Sequence, residues 1–143
     1  MVGLGAASYL TYEHYTGSKT LTCPATGGII NCLAVTTSKY SMIHGVPVAV
    51  LGLVFFAVML VLQSPWAWGS PSLLVRGGRM AWSLVGVGTA VYLMYAELFL
   101  IHNICLWCTA VHVISLLLFV LTVFATAATA EAFDDTAMEP AIN

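Results

Sequence analysis

The sequence predicts an all-α integral membrane protein: a four-transmembrane-helix bundle with one extracytoplasmic, cysteine-containing loop. Three observations carry this expectation. Of 143 residues, 60% are hydrophobic and 7% are charged, and the mean hydropathy is +0.95. Soluble domains carry about a quarter charged residues, and a soluble chain this short leaves too much surface exposed to hide so much apolar area. Long apolar runs alternate with short Gly-, Pro- and Ser-rich breaks. Finally, the four cysteines form two pairs beside such breaks, Cys23 with Cys32 and Cys105 with Cys108. An even count permits disulfides in an oxidising compartment. A net charge of −2 with only four Lys plus Arg excludes a basic nucleic-acid surface.

The elements follow in order. Residues 1–16 (MVGLGAASYLTYEHYT) read as the end of a first transmembrane helix. A span needs about 20 apolar residues, and about a dozen precede Glu13 and His14. The helix is therefore either truncated or begins in the interface. No charged leader or clear cleavage site marks a signal peptide. Residues 17–44 form the one long polar stretch of the first half, a Gly/Pro/Ser/Thr loop with a short helix expected within Asn31–Tyr40. It holds Cys23 and Cys32.

Residues 45–63 have the length of a second span, with Gly45 and Pro47 at its entry and Gly52 as a close-approach position. Residues 64–79 read as a connection, with Trp66 and Trp68 at the interface. Residues 80–101 form a third span, with Gly86 and Gly88 as packing positions. Glu97, near its far end, is expected to snorkel to water, with a proton relay as the lesser alternative. Residues 102–104 make a very short turn, and 105–128 a fourth span. Residues 1–128 are thus one transmembrane domain, and 129–143 an acidic cytoplasmic tail carrying Glu131, Asp134, Asp135 and Glu139.

Arg76 and Arg79 are the only arginines, and they lie between spans two and three. The positive-inside rule turns that connection to the cytoplasm. The 17–44 loop and the 102–104 turn then share the extracytoplasmic side, with all four cysteines. In the opposite orientation they still share a side, but a reducing one.

Cys105-Leu106-Trp107-Cys108 opens the fourth span. Two sulfurs three residues apart meet across one helical turn, and a helix N-terminus favours the thiolate that does redox chemistry. Two buried structural cysteines are the plainer alternative. A c-type haem site needs His after the second Cys, and Thr109 stands there. The spacing of Cys23 and Cys32 is unlike a zinc knuckle, so no metal is expected. Cys23 and Cys32 suit either a structural disulfide or a shuttle. A loop pair beside a membrane-embedded pair is what a disulfide relay needs, each step being thiolate attack on a disulfide.

Two loop cysteines, Ser38 six residues after Cys32, Tyr40-Ser41, Gly45-x-Pro47 and a distant Cys-x-x-Cys opening the last helix form an ordered set. The set resembles the vitamin K epoxide reductase family, in its prokaryotic form, over residues from about 4 to 128. The resemblance implies a four-helix bundle in the cytoplasmic membrane with a quinone pocket at its outer end. It implies a quinone-dependent thiol-disulfide oxidoreductase. Such an enzyme reoxidises a secreted thioredoxin-like or DsbA-like partner and passes electrons to ubiquinone or menaquinone, supporting disulfide bond formation. Many members carry a thioredoxin-like domain after the helices. None follows here, so the partner is expected to be a separate protein.

The resemblance also implies roles. Cys105 and Cys108 are the active-site pair, Cys108 facing the quinone. Cys32 exchanges with Cys105, and Cys23 meets the partner. Ser38 supports the active-site pair. Where vertebrate enzymes have a quinone-bonding Tyr, four residues after the second active-site Cys, this chain has His112. His112 lies one turn beyond Cys108 on the same helix face, placed to donate a hydrogen bond or proton to a quinone oxygen, or else satisfied by a backbone carbonyl. The aromatics Trp82, Tyr92, Tyr95 and Phe99 are expected to pack helices. Reduction of a quinone epoxide is the alternative activity. A non-enzymatic membrane module with two structural disulfides is the alternative class.

Overall fold

The computed structural model describes residues 2–17, 21–23, 27–70 and 72–138, with side chains as far as 129. In chain order the elements are α1 (Val2–Tyr15), a short α2 (Cys32–Thr36) and a 3-10 turn (Lys39–Ser41). Strands β1 (Met42–Ile43) and β2 (Val46–Pro47) follow, then α3 (Val48–Leu62), the one-turn α4 (Pro65–Trp68) and α5 (Leu73–Tyr95). A π-helical turn (Ala96–Ile101) and α6 (Leu106–Met138) complete the chain. The long helices α1, α3, α5 and α6 pack as a bundle, α1 on α3 and α6, α5 on α6 and α3. Two stretches, Leu73–Ile101 and Leu106–Thr129, are long and apolar enough to cross a membrane.

Along α6 the distribution of side chains is inside out. The buried positions include His112, Ser115 and Thr122, while Val113, Leu116, Leu117, Leu121 and Phe124 are exposed. Large apolar side chains on the outside, at helical spacing, have a favourable solvent only in lipid. Each inner hydroxyl then needs a partner in the protein. Ser115 Oγ donates to the Val111 carbonyl and Thr122 Oγ1 to that of Leu118. Gln63 Nε2 donates to Thr122 Oγ1, closing α3 onto α6.

The apolar core is small: Ala7, Phe55, Phe56 and Met59, flanked by Leu4, Trp82, Val111 and Ile114. Small residues let the aromatics in. A Cβ on Gly86 would fall into the Phe55 ring, and one on Gly3 would meet Phe56. Gly52 approaches Ala7, but nothing lies within 4 Å of a Cβ at Gly88, so only the first of the expected α5 packing glycines is used.

Several boundaries differ from expectation. Helix α5 starts at Leu73, through Gly77-Gly78, so Arg76 and Arg79 sit on a helix and not in a connection. Arg79 is buried, its guanidinium 3.4 Å from the centre of the Trp68 ring. That cation–π stack holds α4 against α5. Pro47 caps the start of α3 as expected, but it and Gly45 also belong to a hairpin not expected from the sequence. Val46 and Pro47 pair with Ile43 and Met42, and the turn between them places His44 (φ 50°) and Gly45 (φ 83°) in left-handed conformations. That is the geometry of a tight two-residue hairpin. The helix following Cys105 does not end near 128 but continues to Met138, so the first part of the expected tail is helical. Residues 139–143 lie outside the described residues, as do loop residues 18–20 and 24–26.

The glycine contrast makes a stability prediction. Gly86→Ala should destabilise by about 1–3 kcal/mol through overpacking against Phe55. Gly88→Ala should gain up to about 1 kcal/mol from helix propensity. Thermal melting of the two variants in detergent, beside the parent, checks the opposite signs.

Candidate functional site

The site is assembled by backbone pairing between the polar loop and the turn before α6. Gly27 (φ 145°) and Gly28 (φ 61°) let the chain reverse at 27–30. Ile104 N–H then donates to the Ile29 carbonyl at 2.8 Å, and the Ile104 carbonyl accepts from Asn31 N–H at 3.1 Å. Asn31 also caps α2, its Oδ1 accepting from Ala34 N–H at 3.0 Å. The next residue on each strand of this pairing is a cysteine: Cys32 opens α2 and Cys105 precedes α6.

A second tie holds the other end of the loop. Trp107, inside the Cys-x-x-Cys, donates from Nε1 to the Thr22 carbonyl at 2.9 Å. Its ring lies 5.0 Å from that of Tyr9 on α1, and Tyr9 Oη accepts from Thr22 N–H. The segment Leu21–Cys23 is thereby clamped between α1 and α6.

All four cysteines converge. Cys32, Val35 and Cys105 form a buried cluster, with Cys23, Trp107, Ile101 and Cys108 against it. Cys23 and Cys32 are bonded to each other. Cys105 and Cys108 are free, their sulfurs 2.6 Å apart, and Cys108 N–H points to the Cys105 sulfur at 3.3 Å. The two differ in surroundings. Cys105 has no exposed surface and sits with Cys32. Cys108 lines a cavity. Cys23 is half-buried whereas Cys32 is buried.

The cavity encloses about 330 Å³ between α1, α3, α5 and α6, within the about 300–1,000 Å³ typical of small-molecule sites. Phe55, Phe56, Leu93 and Val111 make it apolar. Its polar groups include Cys108, His112, Glu97, Ser38 and Tyr40. His112 is buried, and its Nδ1 has no hydrogen-bond partner among the described residues. Ser38 reaches the same cavity, with its hydroxyl donated to the Val35 carbonyl at 2.8 Å. No contact joins it directly to the cysteine pair among those described.

Trp82 packs as expected, stacked on Phe55 with its Nε1 donating to the Phe55 carbonyl at 3.2 Å, and it also lines the cavity. One side chain departs from expectation. Glu97 does not snorkel. It is 2% exposed, lies in the π-turn, and its Oε2 accepts from Cys105 N–H at 3.2 Å. A lone carboxylate in an apolar run is the available signal, but its direction depends on the π-turn, which has no sequence mark.

Bundle and site together define a class: a lipid-facing helical module holding a loop disulfide and a free Cys-x-x-Cys over one apolar cavity. The chain belongs to the vitamin K epoxide reductase family, whose model matches residues 1–123. It is also 32% identical over 122 residues to the thiol-disulfide oxidoreductase LTO1 of Arabidopsis thaliana, covering 81% of this chain and 32% of that protein. The chain therefore spans about a third of that relative's length.

The Trp107 clamp has a measurable effect. Trp107→Ala removes a hydrogen bond and a ring contact, so the 21–23 segment should open more often. Reduction of Cys23–Cys32 by a small thiol should speed up several-fold, read by timed alkylation and mass shift.

Proposed function

We propose that this chain is a membrane thiol-disulfide oxidoreductase that takes electrons from a secreted thioredoxin-like protein and gives them to a membrane quinone. The observation that carries this reading is the division of the Cys-x-x-Cys, with Cys105 packed on Cys32 and Cys108 facing the cavity. Family membership and the name of the plant relative support the thiol chemistry. The outward apolar surface supports the bilayer. In this reading α1 and α3 also cross the membrane, giving four spans, with the cysteines on the extracytoplasmic side. Ubiquinone or menaquinone is the acceptor.

The relay balances step by step. A partner thiolate attacks Cys23, the more accessible sulfur of the loop disulfide, and Cys32 leaves as a thiolate. The partner's second thiol then resolves the mixed disulfide and frees Cys23. Cys32 attacks Cys105 of a Cys105–Cys108 disulfide, and Cys108 leaves as a thiolate into the cavity. Cys23 re-forms its bond with Cys32 and releases Cys105. Two electrons and two protons have then moved from partner to active-site pair. Re-forming Cys105–Cys108 passes them to quinone, which leaves as quinol.

The cavity fits a quinone head as substrate. It is apolar with polar groups near Cys108, and the buried Nδ1 of His112 has an unused hydrogen-bonding site. In this reading His112 bonds a quinone oxygen, and Ser38 shapes the roof near the pair.

Single substitutions test the scheme in purified protein under anaerobic conditions. Cys108→Ala should abolish quinone reduction. Cys23→Ala should spare turnover with a small dithiol but block the protein partner. A trapped Cys32–Cys105 disulfide should appear by mass spectrometry in Cys23→Ala, where Cys32 can still attack a Cys105–Cys108 disulfide but nothing in the loop resolves the product. Normal quinone reduction by Cys108→Ala would refute the mechanism. Parallel assays with quinone and quinone epoxide separate the two acceptor chemistries.

A further inference from the structure

We infer that Glu97 is the proton carrier between the active-site thiols and the cavity. The inference rests on the quinone-reducing reading of the site and adds a residue to it. Three observations bear on it. A carboxylate in a membrane-facing helix is costly unless it has work or a partner, and Glu97 is 2% exposed. Its Oε2 lies 3.2 Å from the backbone nitrogen of Cys105, the residue whose thiol must lose a proton. Glu97 also lines the cavity that Cys108 lines. Cys105 itself has no exposed surface, so a proton leaving its sulfur meets protein before water. Glu97 bonds the backbone of the thiol-bearing residue and lines the cavity that Cys108 also lines.

The step balances with Glu97 ionised at its start. The Cys105 thiol gives its proton to the Glu97 carboxylate. The Cys105 sulfur bonds to the Cys108 sulfur, and an electron pair leaves for the quinone. Glu97 returns its proton to one quinone oxygen, and the Cys108 thiol proton goes to the other. Two thiols lose two electrons and two protons, the quinone gains both, and Glu97 is ionised again. The titratable groups that share the cavity with Glu97 are Cys108 and His112 of α6, Tyr40 of the 3-10 turn and His14 of α1, and Cys105 contacts it through its backbone. The competing role is purely structural, an acceptor for the Cys105 N–H. A neutral amide performs that role equally well.

Glu97→Gln therefore separates the two. It keeps a carbonyl oxygen for Cys105 N–H but carries no exchangeable acid proton. With dithiothreitol as donor and a short-chain ubiquinone as acceptor, kcat should fall about 100-fold, the scale of acid–base assistance. KM for the quinone should stay within a few-fold, and one ionisation should vanish from the kcat–pH profile. Glu97→Asp should keep that ionisation at reduced rate. Wild-type kcat and pH profile in Glu97→Gln would overturn the inference.

A second measurement needs no quinone. In Cys108→Ser the alkylation rate of Cys105 is followed against pH, with and without Glu97→Gln. Loss of an inflection in the double variant supports proton exchange with Glu97, and superimposable curves overturn it. If the unmodified protein fails to reduce quinone while the alkylation curves still differ, the acceptor assignment fails and the proton carrier stands.

Discussion

The two hydrogen bonds made by the backbone of Ile104 are the constraint on which the site depends. An isolated 27–31 turn has no packing of its own, and a helix starting at Leu106 has no reason to meet it. Pairing the Ile104 amide and carbonyl with Ile29 and Asn31 satisfies groups that would otherwise be unpaired near an apolar environment, where each costs several kcal/mol, on the order of a lost hydrogen bond or more. Because pairing fixes register, the following residues, Cys32 and Cys105, arrive together. The Asn31 cap and the Trp107–Thr22 bond then hold the two flanks. The packing of Cys32 on Cys105 is downstream of this short ladder.

A related constraint governs the bundle. With apolar side chains directed outward, burial of hydrophobic area contributes little to helix association, and packing with hydrogen bonds must do more. The Phe55 ring lodged over Gly86, the Gln63–Thr122 bond and the Trp82 bond to the Phe55 carbonyl are such contacts. Phe55, Trp82 and Gly86 also line the cavity, so its walls and the cohesion of the bundle are built from the same residues.

What is legible in the sequence is covalent or periodic. The Cys-x-x-Cys, the paired loop cysteines, the apolar runs from 80 and from 105 and the placement of His112 one turn past Cys108 all follow from spacing. The start of α5 is not legible, because Pro71 and Gly77-Gly78 read as breakers, while the stacking of Arg79 on Trp68 is a tertiary contact between two separate helices. The inward turn of Glu97 is hidden for a related reason. It depends on hydrogen bonding in a π-turn and on a partner eight residues away, Cys105 N–H. The β1–β2 hairpin escapes the sequence because Gly45-Val46-Pro47 reads as a helix entry, which Pro47 also is, while the turn depends on a left-handed His44 beside Gly45.

The length of α3 carries a consequence for the surrounding lipid. Its 15 residues rise about 22 Å at 1.5 Å per residue, against an apolar layer of about 30 Å. The β1–β2 hairpin leads directly into its first residue, and its strand pairing keeps backbone groups satisfied where helix has ended. In the four-span reading, the roof over the cavity is thus held at a depth that lipid thickness helps to set. A thicker bilayer draws hairpin and loop toward the acyl chains or compresses around them, at a cost of fractions of a kcal/mol per ångström of mismatch. In that reading acyl-chain length is a physical variable of this site in the same sense as temperature or salt is for a soluble one.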